Sequence, residues 1–238
     1  MKNVIFQSLF NLDVSIETAD SSYTPDIRKI DGIDHLALPG EVLKDKVREN
    51  LKSDEAIKGL EKYIKISDAI SVGKLNLAVD SIAAEESDWG IDMREMSCVA
   101  PFLSSVSVDF EGLKASGISK DGLHELLSRV IFAPMLWGMS HSGKSTVWSV
   151  MGSLKGVFIE ASDGKSDSLY EKALGEGCDE GVKALRCLAD KTTDNSRYVM
   201  LESLYDEEAP KFADAGVKIL GSLKEFHKLV DKLVGEDA

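Results

Sequence analysis

The sequence predicts a mainly α protein, an irregular helical domain with at most a few short strands and an extended N-terminal arm. Three observations carry this. Nearly every long periodic segment repeats its apolar residues at three- and four-residue steps, which is the helical period. The strand candidates are short and isolated. Residues 1–40 are broken by Pro25, Gly32, Pro39 and Gly40, poor material for an autonomous core.

From the start, Leu12, Val14 and Ile16 alternate with polar neighbours as in a strand, and 21–40 follows as an irregular lead-in. This divides the chain into an arm, 1–40, and a helical domain, 41–238. Val42, Val47 and Leu51 stripe a charged helix, and Ser53 followed by Asp54 and Glu55 is an N-cap with acids in the first turn. Ser67 and Asp68 open a second helix through Ile70, Val72, Leu75, Val79 and Ile82. Between 88 and 119 the pattern breaks at Gly90, Pro101, Gly112 and Gly117, with Val106, Val108 and Phe110 alternating as one strand. Ser119 then introduces a helix through Leu123, Leu126, Leu127 and Val130. Short amphipathic pieces run over 169–174 and 182–188, and 157–159 and 198–201 read as strands. Asp206 to Glu208, before Pro210, mark a helix start. The clearest helix is the last, with Val217, Leu220, Leu223, Phe226, Leu229, Val230 and Leu233 on one side.

Acidic residues outnumber basic ones 41 to 28, a formal net charge of -13. A surface so negative repels phosphate backbones and anionic membranes, so neither nucleic acid nor membrane is an expected partner. The longest apolar stretch, 130–137, is far shorter than the ~20 residues a membrane span needs. With no secretory pattern at the start, a cytoplasmic location is the expectation. Cys98, Cys178 and Cys187 are too few and too scattered for a disulfide framework or a metal knuckle, which points to buried thiols in a reducing compartment.

One segment matches a chemical motif without a gap. Gly138-Met139-Ser140-His141-Ser142-Gly143-Lys144-Ser145 fits GxxxxGK[ST], and Thr146 follows. Glycines let backbone N–H groups wrap a phosphate, the lysine neutralises its charge and the hydroxyl ligates magnesium. This resembles the phosphate loop of NTPases over under a tenth of the chain. The resemblance implies an ATP or GTP site, with magnesium, on Gly138, Gly143, Lys144, Ser145 and Thr146. Pro134 in the preceding apolar run argues against a central strand there, and no apolar run ending in aspartate follows.

No other constellation is read as a site. His35, His124, His141 and His227 lack ligand spacing, and Glu85, Glu86, Asp88 and Asp92 lack the alternating oxygens of a calcium loop. No catalytic residue, metal or cofactor is therefore assigned. The expected function is a non-enzymatic component of an assembly, or a regulator, working through protein contacts or self-association. The phosphate-loop nucleotide-binding protein is the alternative.

Overall fold

Strands, not helices, organise this protein, and the expected helical fold is corrected accordingly. The computed structural model describes residues 3–20, 22–30, 32–38, 49, 57–66, 69–71, 94–132, 138–142, 146–162, 182–190 and 195–234. The first strand, β1 (Asn3–Thr18, 16 residues), lies between two equally long antiparallel partners, β6 (Arg94–Asp109) and β8 (Thr146–Ser162). Outside β6 come β5 (Ala69–Ser71), β3 (Ile33–Leu38) and β2 (Ile27–Ile30). Outside β8 come β9 (Ser196–Leu201) and β10 (Lys218–Ile219), the last two parallel to each other. Two short strands join off this path, β4 (Ile64–Ile66) on β6 and β7 (Gly138–Ser142) on β8.

The expected N-terminal arm therefore supplies the centre of the sheet, β1, and one of its edges, β2 and β3. From Val4 to Phe10 every residue of β1 is buried, because helices cover both faces there. The even-numbered face (Val4, Phe6, Phe10) packs under α1 (Phe110–Ala115), α2 (Lys120–Ile131) and α5 (Leu223–Val234). On the odd face, Leu9 packs with Leu103, Phe158, α3 (Val182–Ala189) and α4 (Ala209–Asp214). From Asn11 onward burial alternates: Leu12, Val14 and Ile16 stay inside while Asn11, Asp13 and Glu17 are exposed. Two-sided burial removes the period-2 signal, so only the second half of β1 read as a strand.

Several expectations hold locally. Val106 and Val108 lie in β6, although Phe110, expected in the same strand, opens α1; 157–159 lie in β8 and 198–201 in β9. Ser119 caps α2, its Oγ accepting from the Gly122 N–H at 3.1 Å. Others are corrected. Ala69 to Ser71 form a strand, not part of a helix. The last helix begins at Leu223, not Val217; Lys218 and Ile219 pair with β9, and Leu223 is half exposed. The helix expected near 41–51 (Glu49 apart), most of the 67–86 helix, the 169–174 piece and the Pro39–Gly40 boundary lie outside the described residues. Cys187 on α3 is disulfide-bonded, which corrects the expectation of free thiols and removes one support for a reducing compartment. Cys178 lies outside the described residues.

One side chain ties two helix ends to the sheet. Arg197 on β9 donates from Nη1 to the carbonyl of Ala189 and from Nη2 to that of Ala215, both at 2.6 Å. Those carbonyls close α3 and α4. After Ala215 the chain turns through Gly216 at a φ of 76°, and the Val217 N–H bonds back to the Phe212 carbonyl at 3.0 Å. A left-handed glycine there lets Val217 fold onto Phe212 in the core.

Candidate functional site

The glycine-rich motif does not form a phosphate cradle among the described residues. Gly138 to Ser142 are β7, and β8 begins at Thr146, with Gly138 opposite Val150 and Ser142 opposite Thr146. A phosphate loop must open into a helix whose N–H groups face the anion. Here a strand follows, 17 residues long. Gly143, Lys144 and Ser145 lie outside the described residues. Thr146 is buried at the end of the central sheet, its Oγ1 2.9 Å from that of Thr18. The segment supplies a hairpin edge to the sheet, and the nucleotide reading, with its magnesium, finds no support.

The structure brings together residues that the sequence left scattered. On α2, Lys120 and His124 lie one turn apart; on α5, so do His227 and Asp231. The His124 and His227 rings stack with centroids 4.5 Å apart. Asp231 receives Lys120 Nζ at 2.7 Å and His124 Nε2 at 2.9 Å. The ammonium of Lys120, with the His124 contact, holds the Asp231 carboxyl below its ordinary value despite partial burial. His227 is driven the other way from its charged form: burial lowers its pKa below 6.5, the neighbouring His124 adds to this, and Asp231 opposes it. Its Nε2 is buried with no hydrogen-bond partner, so the charged ring would be poorly accommodated. Spacing within each helix carries no ligand signature, so only the crossing of two helices reveals this cluster. Among the described residues no group of His, Cys, Asp and Glu is arranged to hold a metal ion. The chemistry available is a charged latch between helices.

That latch has a pH signature. A histidine whose folded pKa is depressed gives stability that is complete above its unfolded value and lost as pH falls below about 6.5. Urea midpoints measured at pH 7.5 and 5.5 are expected to drop on acidification, and to drop less in His227→Phe. An equal drop in both proteins would assign the acid sensitivity elsewhere.

Among the described residues two exposed surfaces bear on function. Beyond Asn11 the odd face of β1 is open, with Asp13 and Glu17 exposed and Ser153 beside Asn11 on β8. The outer side of α5 is the other, and it bears lysines. His35 is buried beneath the sheet edge, and the acidic cluster from Glu85 to Asp92 lies outside the described residues. Among the described residues no helix is long and apolar enough to cross a membrane.

No protein-family model and no curated protein matches the sequence. The fold does match solved structures. A chain of a CRISPR RNA-guided surveillance complex superposes with a TM-score of 0.59 at 16% identity, covering 96% of this chain and 98% of that one. A chain of such a complex described as pre-nicking gives 0.58 at 14% identity, with 98% of each covered. At these identities the likeness is one of fold. It overturns the exclusion of nucleic acid, because chains sharing this fold over nearly their whole length are components of RNA-guided assemblies. The physical error lay in the charge argument: a net charge of -13 is a sum over the surface and does not fix the sign of any one face.

Proposed function

We propose that this protein is a non-catalytic subunit of an RNA-guided ribonucleoprotein complex, binding RNA and neighbouring subunits. The supporting observation is the match of fold, which covers 96% of this chain and 98% of the surveillance-complex chain. The architecture suits the role. Three long strands packed under helices on two sides make a stiff plate, while one half of the central strand stays open on one face. Work in the cytoplasm belongs to this reading.

The test is purification of the tagged, full chain from its native cells at low salt. The expected result is a particle several times the 25.9 kDa of one chain, carrying RNA of discrete length that ribonuclease removes. A monodisperse 25.9 kDa species by light scattering, with the absorbance ratio of pure protein, would refute the proposal.

A further inference from the structure

We propose that the outer face of α5 binds the phosphate backbone of single-stranded RNA, an assignment that rests on reading the chain as a subunit of an RNA-guided complex. Lys224, Lys228 and Lys232 recur at four-residue steps, so each stands about 6 Å further along the helix axis. They form one row, turned away from the buried Phe226, Leu229 and Val230. All three are exposed, and none makes an ion pair or hydrogen bond with a described residue.

The chain as a whole has 41 acids against 28 bases, so this row is a local departure from its overall sign. Of the described acids beside the row, one is paired with bases and the other bonds to the backbone. Asp231 is held by Lys120 and His124, and Glu225 accepts the Gly221 N–H at 2.6 Å. Against the three ammonium groups only the Glu225 carboxylate, among the described residues, stays uncompensated, so the row keeps a net positive charge. The open face of β1, with Asp13 and Glu17 exposed, has the opposite sign and repels phosphate. A linear row of flexible point charges suits a repeating anion contacted without base readout. A protein interface needs an apolar centre, and the row has none; Leu223, at the helix start, is the exposed large hydrophobic of α5.

The experiment measures fluorescence anisotropy of a labelled 20-nucleotide uridine-rich RNA with the purified full chain across a salt series. Lys224→Gln/Lys228→Gln/Lys232→Gln is compared with Lys58→Gln/Lys62→Gln/Lys65→Gln, which removes equal charge elsewhere. For three lost phosphate contacts the α5 variant should lower the salt slope by about 2 and weaken binding roughly ten- to hundred-fold at 0.1 M salt. The control should stay near wild type. Equal loss in both variants, unchanged binding in the α5 variant or no binding by wild type would each overturn the assignment. So would a variant that keeps RNA but loses its protein neighbours. Native purification separates this from the wider reading. RNA that co-purifies while the α5 variant binds normally sinks the surface alone; lysine-dependent binding by a chain that purifies as a bare monomer sinks the complex alone.

Discussion

Phe6→Ala is expected to destabilise the protein by about 3–5 kcal/mol, the range for emptying a buried phenylalanine site. Phe6 is fully buried in the first half of β1, and its ring meets Phe110 of α1 at 6.4 Å and Phe226 of α5 at 6.2 Å, the latter edge-on. Three elements distant in sequence converge on this side chain, so no local shift can fill the space. Stability totals of about 5–15 kcal/mol make such a loss severe. Leu223→Ala is the paired control: at 50% exposure it should change stability by about 0.5 kcal/mol or less. Urea denaturation of both variants checks the pair, and comparable losses would contradict the core described for the even face.

Arg197→Ala ranks second, with an expected loss of about 1.5–3 kcal/mol, the contribution of hydrogen bonds to a charged group. The guanidinium reaches two helix-closing carbonyls at once, at 2.6 Å each, and places positive charge at the negative ends of α3 and α4. Lysine cannot reproduce this fork, so Arg197→Lys should recover only part of the loss. Thermal melts of the three proteins test it; full rescue by lysine would show that charge alone matters. Hydrogen exchange should also rise in α3 and α4 before the central strands.

The parts of the fold legible in the sequence were those with one exposed face. The 3.6 period and Ser119 cap of α2 read directly, as did Phe226, Leu229 and Val230 of α5. The long strands did not. In β1 the run Val4 to Phe10 is buried on both sides and shows no alternation. In β6, Pro101, Ser104 and Ser105 look like loop material, yet Ser104 and Ser105 are buried opposite Ser8 and Gln7. In β8, Gly152 and Gly156 break the apolar run. Strand pairing is a long-range property, and these residues make sense only beside their partners. For the same reason the sequence offered a phosphate loop where the chain forms a hairpin edge. It also hid the histidine latch, whose members stand 107 residues apart at the His124–Asp231 contact.

The place of β1 governs how the molecule is made. β1 is synthesised before every other described strand yet is the middle of the sheet, and Asn3 must find Asp109 on one side and Ser162 on the other. Pairing over such separations raises the contact order and slows folding. Until residue 162 has emerged, the buried run from Val4 to Phe10 has one edge without its partner and neither helical cover complete. A nascent chain of this design is a client for chaperones, and truncation anywhere before β8 leaves an apolar strand with an open edge, which is the raw material of aggregation.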